Sequence, residues 1–220
     1  MSTSINLAPY IDHTNLAPDA SEADIIQLCS EAREHSFAAV CVNPDWILTA
    51  ARELAGSNVA PCSVVGFPTG AHLAEVKAFE AERVLTDGAR EIDTVIQVSA
   101  LKANLINDIK DDIAPLAELA HEAGALLKVI LEVALLSDEE IIRGCQWSEE
   151  FGADYVKTST GMLKGENTGA TVHAVELMRA SVSPRIGVKA SGGIRDRATA
   201  EAMMRAGATR LGTSASLKLL

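Results

Sequence analysis

The chain alternates short apolar runs with longer segments whose apolar residues recur at helical spacing. Residues 38–42 are apolar throughout and end at Asn43-Pro44, a pattern typical of a strand buried on both faces of a parallel sheet. Residues 21–36 begin with Ser21, a favoured helix N-cap, and carry apolar residues three and four positions apart. The first pattern predicts a strand, and the second predicts a helix.

The same alternation recurs along the chain and predicts eight strand-and-helix units. The predicted strand centres are Asp12, Cys41, Val65, Thr94, Ile130, Val156, Val188 and Gly212, and the predicted helices span about residues 21–36, 45–55, 73–86, 106–123, 137–151, 168–180 and 197–206. Strict alternation implies a parallel sheet, either closed into a barrel or open and doubly wound. Eight units favour an α/β fold of the (β/α)8 TIM-barrel type, although the first strand is weak. The uniform composition predicts a single domain over residues 1–220.

Composition narrows the range of partners. The sequence is 48% hydrophobic and has a formal net charge of −11, which argues against nucleic acid and anionic membranes as partners. Its apolar runs are shorter than the ~18–20 residues of a membrane span. The first nine residues lack the basic region and apolar run of a signal peptide, so we expect a cytoplasmic protein.

The spacing of cysteine and histidine gives no support for a metal site. The cysteines (Cys29, Cys41, Cys62 and Cys145) include no C-x-x-C pair, and the five histidines form neither H-x-x-x-H nor H-E-x-x-H. We therefore expect reduced, mostly buried thiols. We also expect a protein that uses no metal and no other cofactor.

Two predicted strands carry a lysine at corresponding positions. Lys157 lies in the middle of the stretch 153–161, and Lys189 has the same place within 185–193. Neighbouring parallel strands would set the two ammonium groups at a similar depth. Because a buried lysine must find a partner or lose its proton, the pair marks a candidate site.

Alternate strand positions face the axis of a barrel. The phase of the two lysines turns further charged side chains toward that axis, namely Asp12, Asp93, Lys128 and Glu132. Together these are three lysines and three carboxylates, which are formally neutral as a set. A purely structural ion network is the alternative interpretation, and the turns after the lysine strands argue for a site instead.

Glycine-rich turns follow both lysine strands, at the end where barrel enzymes build their sites. Gly161 follows the first strand, and Gly192-Gly193 follow the second and lead past Arg195 into a helix. Backbone N–H groups at a helix start can bind phosphate, and Ser214 follows the last strand, where many barrels complete their phosphate site. We predict that these residues surround a phosphate group.

Two lysines in one water-poor pocket suggest an amine nucleophile. Lysine is almost wholly protonated at pH 7, whereas burial and a second ammonium favour the neutral amine, which can attack a carbonyl carbon. A carboxylate such as Asp93 would move protons. These features describe a Schiff-base enzyme that acts on a small sugar phosphate. The residue pattern leaves the choice between Lys157 and Lys189 as nucleophile open.

A series of motifs, in order from about residue 10 to residue 214, resembles the deoxyribose-phosphate aldolase family. The motifs are Asp12-His13-Thr14, Cys41-Val42-Asn43-Pro44, Val65-Gly66-Phe67-Pro68-Thr69-Gly70, Glu91-Ile92-Asp93, Lys128-Val129-Ile130-Leu131-Glu132, Lys157-Thr158-Ser159-Thr160-Gly161, Lys189-Ala190-Ser191-Gly192-Gly193-Ile194-Arg195 and Gly212-Thr213-Ser214. The resemblance implies a (β/α)8 barrel and a class I aldolase. It also implies reversible, metal-free cleavage of 2-deoxy-D-ribose 5-phosphate to acetaldehyde and D-glyceraldehyde 3-phosphate.

The resemblance also implies roles for individual residues. Lys157 would form the Schiff base, Lys189 would favour its neutral form, and Asp93 would donate and accept protons. Asp12 completes the candidate catalytic set. The alternatives are another Schiff-base aldolase for a related sugar phosphate and an inactive phosphosugar-binding barrel. The implied partner is a small phosphorylated sugar, and a homodimer is compatible with the sequence.

The chain departs from the usual family pattern at a few positions. Gln97 stands where short members commonly have Asn, Val133-Ala134 replace a Thr-containing pair, and Ala215 replaces a serine after Ser214. The last change removes one hydroxyl that would donate to phosphate. These departures bear on phosphate affinity and on pocket closure, and they leave the core chemistry in place.

Overall fold

Eight parallel strands close into a barrel in which each strand pairs with its neighbours in chain order. The computed structural model describes residues 5–165 and 168–220. In this part of the chain the strands are β1 (Ile11–Asn15), β2 (Ala39–Val42), β3 (Ala60–Val65), β4 (Glu91–Val95), β5 (Leu126–Ile130), β6 (Tyr155–Lys157), β7 (Gly187–Ser191) and β8 (Arg210–Thr213). The weak first strand pairs with both β2 and β8 and so closes the sheet. The prediction of a (β/α)8 barrel is confirmed.

Helices follow the strands in sequence. They are α1 (Glu22–His35), α2 (Ile47–Glu53), α3 (Ala74–Thr86), α4 (Val98–Lys102), α5 (Ile106–Glu122), α6 (Asp138–Glu150), α7 (Val172–Ser181) and α8 (Arg197–Arg205), with short 3-10 helices at Ala8–Tyr10, Pro44–Trp46, Val133–Leu135 and Ser216–Leu219. Among the described residues, no helix is both long enough and apolar enough to cross a membrane.

Two helices differ from the sequence prediction. The sequence did not predict α4, and it began α7 at about residue 168. The later start of α7 follows from Thr171, because its hydroxyl accepts a hydrogen bond from the N–H of Ala174 and caps the helix there.

Serine caps fix the starts of α1 and α6. The hydroxyl of Ser21 accepts from the N–H of Asp24, and the Asp24 carboxylate accepts from the N–H of Ser21. Ser137 and Glu140 make the same reciprocal pair. Each pair satisfies two backbone donors that the helix leaves unpaired, and such a cap typically contributes about 1 kcal/mol. The predicted cap at Ser21 is confirmed, and Ser137 caps the helix that the sequence predicts from about residue 137.

The alternation of side chains along the strands separates an apolar layer from a charged axis. Val129, Val156 and Val188 join the main apolar core, to which the helices contribute their buried faces. The residues before or after them on the same strands, including Lys157 and Lys189, are buried charged groups. The two-residue period of the strands therefore concentrates the charged groups inside the barrel.

Candidate active site

Seven charged side chains from six strands meet on the barrel axis. We call this set the axis cluster: Asp12, Glu91, Asp93, Lys128, Lys157, Lys189 and Arg210. All are buried, with at most 9% of any residue exposed. Strand register pairs Lys157 with Lys189, so the prediction that the two lysines lie at the same depth is confirmed. Lys157 is the last residue of β6, however, and not in the middle of its strand.

Asp93 is the centre of the axis cluster. Its Oδ2 accepts from the Nζ atoms of Lys157 and Lys189, each at 2.7 Å, and its Oδ1 accepts from Lys128 Nζ at 2.6 Å. Lys189 Nζ also donates to Asp12. One carboxylate oxygen therefore joins the two lysines on which the candidate chemistry depends.

Burial opposes ionisation of these groups, but their neighbours outweigh it. Burial would raise the pKa of Asp93, yet Lys128, Lys157 and Lys189 hold it well below its ordinary value. Asp12 behaves alike: burial raises its pKa, and Lys189, Arg210 and Lys128 lower it further than burial raises it. Burial would lower the pKa of Lys189, and the Asp12 and Asp93 carboxylates raise it above the ordinary value.

The sequence analysis missed two members of the axis cluster, Glu91 and Arg210. Arg210 donates from Nη1 to Asp12 Oδ1 at 2.7 Å and contacts Glu91 at 3.2 Å. Lys128 Nζ lies 2.7 Å from Glu91 Oε2. The two-residue period could have found both, because Glu91 precedes Asp93 by two positions and Arg210 begins the eighth strand in the same phase as Gly212.

Glu132 does not belong to the axis cluster, and that prediction is wrong. The extended strand ends at Ile130, and Glu132 has a left-handed backbone with φ of 57°. The alternation of faces holds only while the chain stays extended, so it cannot be carried two residues past the strand. The Glu132 carboxylate instead accepts from the N–H of Thr160, at 3.2 Å, and from its hydroxyl.

A pocket of about 660 Å³ opens at the carboxyl end of the strands, and Lys157 lines it. All five residues predicted to bind phosphate line the same pocket, namely Gly161, Gly192, Gly193, Arg195 and Ser214. Asp12, Asp93 and Lys189 are not among its lining residues; they are buried beside Lys157 and linked to it through Asp93. The nine predicted residues thus form two adjoining groups. Six of them line the pocket, and the other three (Asp12, Asp93 and Lys189) are buried next to Lys157.

The turn before α8, and not the helix start, faces this pocket. Gly192 and Gly193 have positive φ values of 84° and 80°, which favour glycine, and a Cβ built at Gly193 would meet no atom within 4 Å. The helix itself is capped by Asp196, whose carboxylate accepts from the N–H of Thr199 at 2.8 Å. Asp196 therefore already takes one donor of the first helical turn, whereas Gly192 and Gly193 line the pocket.

A family model described as DeoC/LacD family aldolase matches residues 7–218. The chain belongs to this aldolase family. A deoxyribose-phosphate aldolase from Geobacillus sp. (strain WCH70) is 51% identical over 215 residues, which cover 98% of this chain and 95% of the relative. Among solved structures, one from Coccidioides immitis is 41% identical, with a TM-score of 0.93, and covers 99% of this chain and 85% of that one.

A second solved structure is described as a tetrameric deoxyribose phosphate aldolase from Aeropyrum pernix. It is 36% identical to this DeoC/LacD aldolase, with a TM-score of 0.89 over 97% of this chain and 88% of that one. The likeness extends over nearly the whole barrel. The family resemblance of the sequence motifs is therefore confirmed.

One group of metal-donor atoms occurs in the described part of this DeoC/LacD aldolase. Cys41, Cys62 and Asp93 bring one donor atom each within 4.8 Å of one another. Lys128 Nζ lies 3.3 Å from Cys62 Sγ and 2.6 Å from Asp93 Oδ1, so an ammonium group already contacts two of the three donors. The three donors do not fit a metal centre in this arrangement. All four cysteines are free and buried, as predicted.

The departures from the family pattern lie beside the pocket or away from it. Gln97 donates from Nε2 to the carbonyl of His72 at 3.2 Å, and it is not among the described residues that line the pocket. Ala215 donates its N–H to the hydroxyl of Thr213 at 2.9 Å, directly after the pocket residue Ser214. The backbone of the turn is thus held without a second serine.

Proposed function

We propose that this protein is a class I aldolase, and that it reversibly cleaves 2-deoxy-D-ribose 5-phosphate to acetaldehyde and D-glyceraldehyde 3-phosphate through a Schiff base on Lys157. The carrying observation is that Lys157 both lines the 660 Å³ pocket and hydrogen-bonds Asp93. The other cations of the axis cluster lie beneath the pocket lining. The whole chain, residues 1–220, acts as one barrel domain in this proposal.

The charge balance of the axis cluster supports Lys157 as the nucleophile. Four cations face three carboxylates, so the cluster has one surplus positive charge when every group is ionised. Release of one proton would make the cluster neutral. Lys157 is the cation in contact with the pocket, and it is the group from which a proton can leave to solvent or substrate.

In the proposed reaction, the neutral Lys157 amine adds to the C1 aldehyde of the open-chain sugar, and the carbinolamine loses water to give an iminium ion. A base then takes the proton of the C3 hydroxyl. The C2–C3 bond breaks, its electron pair forms an enamine, and D-glyceraldehyde 3-phosphate leaves. The enamine takes a proton at C2, and water hydrolyses the new iminium to acetaldehyde and free Lys157.

Asp93 and Lys189 are proposed to carry these protons. Asp93 Oδ2 lies 2.7 Å from both lysine Nζ atoms, which is within reach for proton transfer along the sequence Lys157, Asp93, Lys189. Asp12 holds Lys189 from its other side and keeps it cationic.

The phosphate of the substrate is proposed to bind where the glycine turns meet. Gly161, Gly192, Gly193, Arg195 and Ser214 share the pocket with Lys157. A Cβ built at Gly161 would lie 3.8 Å from the Cα of Gly192, so the two turns form one wall. Backbone N–H groups and a nearby guanidinium suit a dianion in a protein with a net charge of −11.

We also propose a cytoplasmic, metal-free enzyme that needs no other cofactor and acts as a homodimer. Four free thiols are typical of proteins in reducing compartments. Leu73, Val76 and Phe79 expose apolar side chains along α3 and its start, which offers a second copy a surface to cover. Light scattering in solution gives the mass that tests the dimer.

Borohydride trapping tests the function and the nucleophile together. The protein should release D-glyceraldehyde 3-phosphate from deoxyribose 5-phosphate, and reduction with borohydride and acetaldehyde should add mass to the tryptic peptide that contains Lys157. Lys157→Met should lower kcat/KM by at least roughly 10⁴-fold, since it removes the nucleophile.

Lys77→Met serves as the matched control, because Lys77 is equally buried but lies outside the barrel axis. It should keep both turnover and trapping. Modification of Lys189 with Lys157 left unmodified would overturn the assignment of the nucleophile. A protein that forms no adduct with acetaldehyde would instead be a phosphosugar-binding barrel.

A further inference from the structure

Glu132 is a buried carboxylate that the proposed reaction does not use. It is 3% exposed and has a positive φ of 57°, in a region that non-glycine residues rarely adopt. Such a backbone persists only where surrounding contacts over-determine it, and it commonly marks functional sites. The contacts of Glu132 therefore need to be followed outward.

Those contacts lead to the turn after β6. The Glu132 carboxylate accepts from the Thr160 N–H at 3.2 Å and from the Thr160 hydroxyl. The same hydroxyl accepts from the N–H of Met162 at 3.1 Å. Thr160, Gly161 and Met162 all line the pocket. A single buried carboxylate thus contacts Thr160 directly and Met162 through the Thr160 hydroxyl, on either side of Gly161.

The backbone on either side of Glu132 is fixed to the same turn. Leu131 donates its N–H to the Lys157 carbonyl at 2.9 Å, and Val133 donates its N–H to the Thr158 carbonyl at 2.9 Å. From the opposite side, the Thr158 hydroxyl donates to the Ser191 carbonyl at 3.1 Å. The turn is therefore held by β7 on one side and by Glu132 on the other.

The electrostatics of Glu132 agree with a dedicated role as an acceptor. Burial raises its pKa, while the two donors of Thr160 and the charge on Lys157 oppose the rise. Hydrogen bonds to a charged acceptor are about twice as strong as neutral ones. The Thr160 contacts therefore offset part of the cost of burying the carboxylate, and they join it to the turn.

We infer that Glu132 is a positioning residue of the aldolase site: through Thr160 it fixes the turn 158–162, so that Gly161 faces the substrate phosphate while Lys157 keeps its place at the start of the turn. The inference rests on the proposed function. It assigns Glu132 to substrate binding, through KM, and not to proton transfer.

The test compares three threonine variants. Thr160→Val removes the hydroxyl that joins Glu132 to Met162, and we expect KM for deoxyribose 5-phosphate to rise roughly tenfold or more, with a smaller change in kcat. Thr160→Ser keeps the hydroxyl and should restore KM to within about threefold. Thr94→Val is the matched control, because the buried Thr94 hydroxyl has no hydrogen-bond partner among the described residues. It should leave KM unchanged.

A double-mutant comparison shows whether Glu132 acts through Thr160. Glu132→Gln should raise KM in the same direction, and the combination with Thr160→Val should be no worse than the stronger single change. Cleavage of unphosphorylated 2-deoxyribose should change far less in all these variants. Additive effects, or equal losses on both substrates, would contradict a positioning role and indicate general damage.

The outcomes separate this inference from the function on which it rests. If the unmodified protein cleaves deoxyribose 5-phosphate and Thr160→Val leaves KM unchanged, the role of Glu132 is wrong while the function stands. If the unmodified protein does not cleave this substrate, the proposed function fails, and the role of Glu132 fails with it.

Discussion

Two groups of buried charges in this protein solve the same physical problem in different ways. Outside the barrel, Lys77 of α3 and Asp112 of α5 form an ion pair at 2.7 Å, with both side chains fully buried. We call these two residues the outer pair. Inside it, the seven residues of the axis cluster surround one another. The comparison shows that a buried lysine alone does not indicate catalysis.

The direction of the pKa changes separates the two groups. Burial lowers the pKa of Lys77 and raises that of Asp112, and the single partner only partly offsets it. In the axis cluster, each carboxylate meets two or three cations, and the pKa of Asp12 and Asp93 falls in spite of burial. One opposite charge does not offset desolvation, whereas several do.

The pKa shifts in the axis cluster and in the Lys77–Asp112 pair have opposite effects on the stability of the fold. Because the pKa values of Asp12 and Asp93 are lowered in the folded state, their contribution is present above about pH 4 and is lost as the pH falls through the folded values. The raised pKa of Lys189 extends the contribution up to about pH 10. Over this range ionisation of Asp12, Asp93 and Lys189 favours the folded state, whereas ionisation of Lys77 and Asp112 costs stability.

The largest expected effect concerns the stability of the outer pair. Lys77→Met leaves Asp112 buried without its cation and should lower the free energy of unfolding by about 3–5 kcal/mol. The double variant Lys77→Met with Asp112→Asn should recover part of that loss, because the amide oxygen still accepts from the N–H of Gln97. Urea unfolding measures both, and kcat/KM should stay unchanged.

If the double variant were less stable than Lys77→Met alone, the pair would be strongly stabilising and the contrast with the axis cluster would disappear. A large loss of kcat/KM in either variant would also break the comparison, since it would connect the outer pair to the chemistry.

The next effect tests the open side of the axis cluster, where we propose the phosphate site. Gly193→Ala places a Cβ in the space that faces the pocket, and KM for deoxyribose 5-phosphate should rise roughly 10- to 100-fold, the loss of about one hydrogen bond to a charged group. Activity on unphosphorylated 2-deoxyribose should change little.

Gly56→Ala is a matched control for backbone strain. Gly56 has φ of 74°, its Cβ would also meet no atom within 4 Å, and it is not a pocket residue. Both variants should lose similar stability, of order 1–2 kcal/mol. Equal changes of KM in the two would mean that strain, and not the phosphate, explains the result.

The smallest expected effect is a lower rate of trapping. Lys189→Met removes the cation that shares Asp93 Oδ2 with Lys157, and with it the far end of the proposed path for protons. The rate of borohydride trapping with acetaldehyde should fall roughly tenfold.

Lys77→Met provides the comparison here too, and its trapping rate should match that of the unmodified protein. An unchanged trapping rate in Lys189→Met would exclude a role for Lys189 in proton transfer. The axis cluster would then resemble the outer pair in having no influence on the chemistry.

The sequence by itself determined the repeating units, the barrel and most of the candidate site. The alternation of apolar runs with helical segments predicted all eight strands, the first only weakly, because hydrophobic burial is a local pattern of residues. The two lysine motifs and their glycine turns predicted Lys157, Lys189 and most of the proposed phosphate residues, since these patterns are local too. All nine predicted site residues lie in the pocket or directly beneath it.

Only the tertiary structure decided which charges meet. Arg210 reaches Asp12 across 198 positions of the chain, a contact that depends on closure of the barrel between β8 and β1. Glu132 does not face the axis, because the chain turns two residues after the end of β5 and the alternation of strand faces no longer applies there. The pKa of a buried group depends on all of its charged neighbours, because charges interact strongly in a low dielectric. In the axis cluster these neighbours come from six strands, so no local pattern of the sequence specifies them.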